Sequence, residues 1–302
     1  MPELEHVVPT AVLIGNFDGV HRGHQRLLSA AAERARRLVV VTFWPHPMSV
    51  IRPDKAPRLL TDLQTRVRLL AEAGADEVVT VAFDDATSEL TPEQFVDTVL
   101  LPLHPDLIMV GENFRFGHRA AGDVATLTEL GAGRFAVTGL PLASTEGEPI
   151  SSTRIRKALA AGEVAAAADL LGRPYCYTGT VVQGFQRGRE LGFPTANLPV
   201  PDWRAAPADG VYAGWARRVD EPDAERWPAA ISVGTNPTFD DVMHTVVEAY
   251  VLGRDDLELY DVPLEVEFVE RLRGQVAFTG LDALIEQMRA DVVQCREVLG
   301  QA

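Results

Sequence analysis

Lysine is nearly absent. Only Lys55 and Lys157 carry it in 302 residues, and neither closes a G-x-x-x-x-G-K-[S/T] loop, which excludes a P-loop as the means of holding a nucleotide. Cysteine is as scarce: Cys176 and Cys295 make no disulfide framework and point to a reducing compartment. No apolar run is long enough to span a bilayer, and the amino-terminal Met1-Pro2-Glu3-Leu4-Glu5-His6 is acidic and lacks the apolar core of a secretory leader. A cytoplasmic protein is the expectation. Positive charge is also short, with 28 Lys+Arg against 43 Asp+Glu and a formal net charge of -15. That balance argues against nonspecific binding to nucleic acid or membrane surfaces, which are themselves anionic, so a phosphate-bearing ligand must be held locally. The expected partners are small molecules, with self-association left open.

What is present is enough chain for two cores. From Ala11 to about Arg173 apolar runs alternate with helical patterns: Ala11–Ile14, Leu38–Phe43, Glu77–Val81, Asp106–Val110 and Arg134–Thr138 read as buried strands. The alternation predicts a doubly wound parallel sheet with ligands at the carboxyl ends of its strands. Gly162 to Pro174 reads as a short helix ending at glycine and proline, a boundary that gives domains over 1–172 and 173–302. Beyond it, strand-like runs at 177–182, 211–216, 229–233, 246–252 and 264–269 are separated by turns, which predicts a small antiparallel β-barrel. Residues 281–299 read as one closing helix, and its Met and apolar stripe as core packing.

The first strand leads into Gly15-Asn16-Phe17-Asp18-Gly19-Val20-His21-Arg22-Gly23-His24 and then a helical pattern. Strand, glycine turn and helix together aim unpaired N–H groups and a helix dipole at the turn, which suits a phosphate. His21 and His24, three apart, share one face at a helix start. A plain turn, a solvated face and metal ligation are the rival explanations, and the last is disfavoured because no other His or Cys stands at ligand spacing nearby. Trp44-Pro45-His46-Pro47 follows the second strand, Gly111-Glu112-Asn113-Phe114-Arg115-Phe116-Gly117 the fourth, and Ile150-Ser151-Ser152-Thr153-Arg154-Ile155-Arg156 opens a helix. Taken singly, each is equally a rigid turn, a surface cluster or a capped surface helix.

Together they are specific. G-x-F-D-G-x-H-x-G-H and I-S-S-T-x-x-R resemble the two signatures of nucleotidylyltransferases, and with P-H-P and G-x-N-F-x-F-G the resemblance narrows to the N-terminal module of bacterial FAD synthetases. It implies adenylyl transfer from ATP to FMN. ATP would meet Gly15, Phe17, Asp18, His21, Gly23, His24, Ser152, Thr153 and Arg156, and the flavin would lie near Pro45, Pro47 and Asn113. The reaction needs no enzyme nucleophile, because the FMN phosphate itself attacks the α-phosphorus and pyrophosphate leaves.

In the second half, Gly184 to Asn197 carries glycines whose N–H groups could wrap a phosphate, and Thr195 and Asn197, two apart on an extended segment, can point oxygens at one Mg²⁺. A glycine-rich hairpin loop is the alternative. G-R-x-L-G-F-P-T-A-N resembles the riboflavin kinase motif, and Asp209–Gly214 and Gly234–Phe239 also fit that family. The resemblance implies Mg-ATP held by Gly188, Gly192, Thr195 and Asn197, and a proton-accepting carboxylate at Glu248. Two departures bear on the flavin loops: Asp240-Asp241-Val242 follows Phe239, and Asp261 stands where glycine is expected. The expectation for the whole chain is riboflavin to FMN and then to FAD. The rivals are a chain with one active half and a flavin-binding protein that has lost the chemistry, the latter disfavoured because His21, His24, Thr195, Asn197 and Glu248 are all present.

Overall fold

The strand Thr10–Ile14 (β1) is buried at all five positions, as a strand covered on both faces must be. The computed structural model describes residues 9–183, 192–221, 223–237 and 243–300. Its contacts divide into two compact units, Met1–Ser151 and Ser152–Ala302. In the first, β1 is joined by β2 (Arg37–Trp44), β3 (Glu77–Ala82), β4 (Leu107–Gly111) and β5 (Ala136–Leu140). The order is β3-β2-β1-β4-β5 and every pairing is parallel.

Side-chain alternation along these strands builds two cores. Ala11, Leu13, Leu38, Val40, Leu107 and Met109 face one side, where Leu27, Leu28 and Ala31 of α1 (Arg22–Ala32) and Leu69 and Leu70 of a later helix (Leu63–Glu72) cover them. Val12, Ile14, Val39, Val41, Ile108 and Val110 face the other, covered by Phe95, Val96, Leu100 and Leu127. The doubly wound sheet expected from the apolar alternation is therefore present. Strand order reverses between β1 and β4, so the loops after these strands leave the same edge at the switch point, where open α/β sheets bind ligands. The fifth strand starts two residues later than its apolar run suggested. The Arg134 and Phe135 N–H groups still donate to the Gly131 carbonyl, so the chain is leaving a helix there.

Between the helix at Leu63–Glu72 and the second unit lie short helices at Asp85–Ser88, Pro92–Phe95 and Val124–Gly131 and a two-residue hairpin, β6 (Ser144–Thr145) with β7 (Glu148–Pro149). Counting Pro47–Ile51 as α2 and Leu63–Glu72 as α3, these helices are α4, α5 and α6.

The second unit opens with α7 (Ser152–Ala161) and α8 (Val164–Leu171), which bury Ile155, Ala158, Leu159, Val164, Ala167, Leu170 and Leu171. Gly172 ends α8 in the left-handed conformation at φ +78, the glycine stop expected there. Then come β8 (Tyr175–Thr180), β9 (Ala196–Pro199), β10 (Gly210–Arg218), β11 (Trp227–Pro237), β12 (Met243–Val251) and β13 (Pro263–Arg273). They form an antiparallel sheet ordered β8-β13-β10-β11-β12-β9. A bridge between Val182 and Asn197, with the Val182 N–H donating to Asn197 O at 2.9 Å, brings the two edges together into a nearly closed barrel. Tyr212, Phe268, Leu198, Val247 and Val266 fill it, with the Tyr212 and Phe268 rings edge to face at 5.4 Å.

The closing helix, α9 (Leu281–Val298), packs Val292 and Val298, with Leu299 beyond it, against Ala213 and Leu252, the core packing expected of its apolar stripe, although only part of that stripe is buried deeply. Leu284, Ile285 and Met288 are only half-buried, and the buried residues are Asp291 and Cys295. Asp291 accepts two hydrogen bonds from Arg273, and the Cys295 thiol donates to Ala229 O. Burial pushes that thiol up to about 11, which makes Cys295 a packing group rather than a reactive one.

Two candidate active sites

In the first unit, β1 runs directly into the glycine-rich turn. Gly19 takes φ +84, and Phe17 and Val20 are also left-handed at +47 and +41, a costly conformation for a β-branched residue that marks a turn held by its surroundings. Asp18 does the holding. Its buried carboxylate accepts from the N–H groups of Leu60 and Thr61 and from the Thr61 hydroxyl at 3.0–3.2 Å, and pairs with Arg66 at 3.7 Å. Its oxygens are thus committed to protein donors, so Asp18 is placed as an anchor for the turn.

His21 is the N-cap residue of α1; its carbonyl accepts from the N–H groups of His24 and Gln25, and its side chain makes no cap, which leaves the N–H groups of Arg22 and Gly23 at the helix start for another acceptor. The rings of His21 and His24 stack with centroids 3.6 Å apart, and Phe17 meets His24 edge-on at 5.0 Å. A Cβ at Gly23 would come within 3.1 Å of the His21 ring and push it by a few tenths of an ångström, so glycine there lets the ring lie undisplaced against His24. The His24 ring is half-buried, but its Nδ1 is sealed from solvent and has no hydrogen-bond partner among the described residues. Burial, the neighbouring His21 and the Arg66 guanidinium hold its pKa well below the usual imidazole value. His24 is therefore neutral in the free protein and has an unspent polar atom.

The loops after β2 and β4 flank this turn at the same sheet edge, because those strands flank β1 in parallel. Pro45 is exposed, and Pro47 opens α2 at its first position. His46 is buried, with Nδ1 accepting from Met48 N at 3.1 Å, so it caps that helix. Asn113 is exposed just past β4, beside the stacked rings of Phe114 and Phe116. Ser152, Thr153 and Arg156 stand in the first turns of α7, which belongs to the second unit.

In the second unit, a cavity of about 820 Å³ is lined by Gly192, Thr195 and Asn197 on the approach to and along β9, and by the segment Arg254–Tyr260 after β12. Gly192 is left-handed at φ +82. The Asn197 side-chain nitrogen donates to Thr195 O at 3.2 Å, which leaves the amide oxygen as the donor for a cation. A hydroxyl and an amide oxygen at one cavity wall fit Mg²⁺, a hard ion that takes oxygen ligands and keeps waters or phosphate for the rest of its shell. No group of three or more His, Cys, Asp or Glu able to hold a metal occurs among the described residues. Gly188 and Asp240-Asp241-Val242 lie outside the described residues.

Glu248 sits directly opposite Asn197 in the β12–β9 pairing and opposite Ser232 in the β11–β12 pairing. Cross-strand partners share a face, so Ser232, Glu248 and Asn197 form one row. The Gln275 amide donates to the Ser232 hydroxyl at 3.2 Å and to Val233 O at 3.0 Å, extending the row. Asp261 takes φ +61, which explains why glycine is expected there; Asp is among the few side chains that tolerate that conformation. Thr61, Arg66, Ser232 and Gln275 escaped sequence reasoning because none stands in a motif.

A parallel sheet with two histidines and a helix start at its switch point, ahead of a barrel with an oxygen-lined cavity, defines a two-module α/β-plus-β-barrel transferase. Residues 4–154 match the FAD synthetase family and residues 171–299 the riboflavin kinase family. The chain is 36% identical over 293 residues to the bifunctional riboflavin kinase/FMN adenylyltransferase of Escherichia coli K12 (95% of this chain, 92% of that one), and 37% over 291 residues to that of Pseudomonas fluorescens (94% and 91%). It belongs to the bifunctional riboflavin kinase/FMN adenylyltransferases, with the adenylyltransferase module first and the kinase module second. A crystal structure described as a macrolide-efflux protein from Streptococcus pneumoniae superimposes with a TM-score of 0.84 at 31% identity, covering 96% of this chain and 94% of that one. The efflux description belongs to that protein; no helix among the described residues here is long and apolar enough to cross a membrane.

Proposed function

We propose that the second unit phosphorylates riboflavin with ATP to give FMN and ADP, and that the first unit adenylylates FMN with a second ATP to give FAD and pyrophosphate. The observation that carries the reading is the stacked histidine pair at the start of α1 in one unit, together with an oxygen-lined cavity built separately in the other. The partners proposed are these small molecules alone.

In the adenylyl transfer, a phosphate oxygen of FMN attacks the α-phosphorus of ATP and the α,β-bridging bond breaks. His21, His24 and the first N–H groups of α1 take the phosphate oxygens. Neutral His24 gives a hydrogen bond and accepts a proton as negative charge arrives, so it is suited to respond to the triphosphate rather than to repel cations beforehand. Ser152, Thr153 and Arg156 are proposed to serve the same reaction, Arg156 by charge. Gly15 and Gly23 allow close backbone approach, Phe17 walls the His24 ring, and Pro45, Pro47 and Asn113 are proposed to bound the flavin.

In the kinase step, the primary hydroxyl of riboflavin attacks the γ-phosphorus while Glu248 accepts its proton and ADP leaves. Thr195 and Asn197 would hold Mg²⁺, which when bound neutralises charge on the ATP phosphates. Gly188 and Gly192 are proposed to let backbone N–H groups approach those phosphates.

Incubating the purified chain with riboflavin, ATP and Mg²⁺ tests the reading. FMN and ADP should appear first and FAD with pyrophosphate after them, and supplied FMN should give FAD without riboflavin. FMN that accumulates with no FAD would remove the first activity, and FAD from FMN with no product from riboflavin would remove the second.

A further inference from the structure

Beneath the histidine turn lies a buried polar cluster that the two reactions do not use. Arg66, on α3, is fully buried, and Thr61 and Asp18 are each 2% exposed. The Thr61 hydroxyl accepts from Gly19 N–H at 3.2 Å and from Arg66 Nε at 3.5 Å and donates to Asp18 Oδ1 at 3.2 Å. The second arm of Arg66 donates to Thr42 Oγ1 at 3.4 Å and to Phe43 O at 3.2 Å, and its guanidinium lies 5.5 Å from the centre of the Trp44 ring. The Thr42 hydroxyl in turn donates to Asn16 O at 3.1 Å.

Residues 16, 18 and 19 of the turn, the end of β2 and the start of α3 thus meet on two side chains. A buried cation is costly, and an exposed surface arginine would anchor nothing here. Each connection ends on the turn that carries the histidines, or on Phe43 and Trp44, the residues just ahead of Pro45.

We propose that Arg66 and Thr61 are positioning residues for adenylyl transfer: they lock the left-handed turn that presents His21 and His24 and tie it to the segment leading to Pro45 and Pro47. This rests on the assignment of His21 and His24 to the ATP phosphates. Phe17 and Val20 keep unfavourable backbone angles only while something restrains them, and the hydroxyl on Gly19 N–H and the carboxylate on residues 60 and 61 supply the restraint. The Arg66 charge has a second effect. Burial does most to hold the His24 pKa down, the neighbouring His21 ring on the turn adds to it, and Arg66 from α3, itself paired with Asp18, adds a further share, so the side chain that fixes the turn also helps keep His24 neutral until a polyanion arrives.

Three variants of the full-length chain test this: Thr61→Val, Arg66→Met and Arg66→Lys. Backbone amide NMR spectra of the first unit serve as the folding control for these variants, and riboflavin phosphorylation as the control that the second unit is unaffected. Thr61→Val keeps the shape and removes the hub hydroxyl, and should lower the turnover of FMN to FAD about 10²-fold, the size set by a displacement of about 1 Å. Its KM for ATP should change less than its kcat. Arg66→Met should lose FAD formation and shift the His24 imidazole titration upward by NMR in the ligand-free protein. Arg66→Lys keeps the charge and should restore the titration and part of the turnover. A Thr61→Val chain with wild-type turnover overturns the proposal, and so does an Arg66→Met chain whose His24 titrates unchanged. If Arg66→Met does not fold, the turnover of Thr61→Val alone decides between the two outcomes. Full FAD synthesis by His24→Ala would instead sink the histidine assignment, an outcome separate from these.

Discussion

Arg273→Met should unlatch the closing helix and weaken the kinase while sparing adenylyl transfer. Arg273 ends β13 and grips Asp291 of α9 with Nε and a terminal nitrogen at 2.8 and 2.7 Å. The side chains are 19% and 6% exposed, so the pair lies nearer the buried than the surface limit. Methionine keeps the apolar stem against Phe278 but leaves a carboxylate in a dry site, with the Gln287 amide still donating to it at 2.9 Å. Breaking a buried pair costs about 3–5 kcal/mol; partial access of Arg273 and the surviving Gln287 bond place the value near the lower end, about 3 kcal/mol. For a unit of this size that lowers the midpoint by roughly 10 °C. Thermal and urea unfolding followed by tryptophan fluorescence reads this unit well, because Trp203, Trp215 and Trp227 lie in it and only Trp44 lies in the other. Gln275, two residues on, rests on Ser232 beside Glu248, so riboflavin phosphorylation should fall with it. Arg273→Met/Asp291→Leu removes both charges and should recover most of the loss. A single variant within 1 kcal/mol of wild type, or a double variant as weak as the single, refutes the latch.

Glu248→Gln keeps size and hydrogen bonding but cannot take the riboflavin proton. FMN turnover at saturating substrates should fall by about 10²–10⁴ with FAD synthesis from FMN untouched, and a drop under roughly tenfold removes Glu248 from the base role. A fragment beginning at Ser152 should fold and make FMN, whereas one beginning at Arg173 loses the buried faces of α7 and α8 and should be markedly less stable; equal melting temperatures would favour the 172/173 boundary. His24 titrates below its unfolded value of about 6.5, so the unfolded chain binds the proton first as pH falls. Its contribution is intact above about pH 6.5 and declines below it, and His24→Gln should flatten the dependence of unfolding midpoint on pH in that acid range.

Much of this was legible in the chain because it depends on local pattern. Apolar runs at the right spacing announced the strands of the parallel sheet, and the change to turn-separated runs announced the barrel. What stayed hidden depends on partners far along the chain. Asp18 stands in a motif whose resemblance points to ATP, and its hydrogen bonds from Leu60 and Thr61, 42 and 43 residues away, are contacts no local pattern could announce. Arg66 stands in no motif and is fully buried, since nothing local reports that α3 turns it toward β2. β9 is four residues long, starts inside the T-A-N motif and ends in proline, too short for alternation to show, yet its pairing is what sets Asn197 opposite Glu248. On α9 the apolar stripe packs as core at Val292, Val298 and Leu299, while the ion pair of Asp291 with Arg273 and the buried Cys295 thiol are contacts the pattern did not announce.

The measurement that bears most directly on two chemistries in two separate sites is a pair of assays on His24→Ala in the full chain. FMN to FAD should fall to background, because the only change is at the stacked pair over the α1 start, while riboflavin to FMN should proceed at the wild-type rate from the barrel. FAD synthesis that persists in this variant, or a kinase rate that falls together with it, would contradict the account.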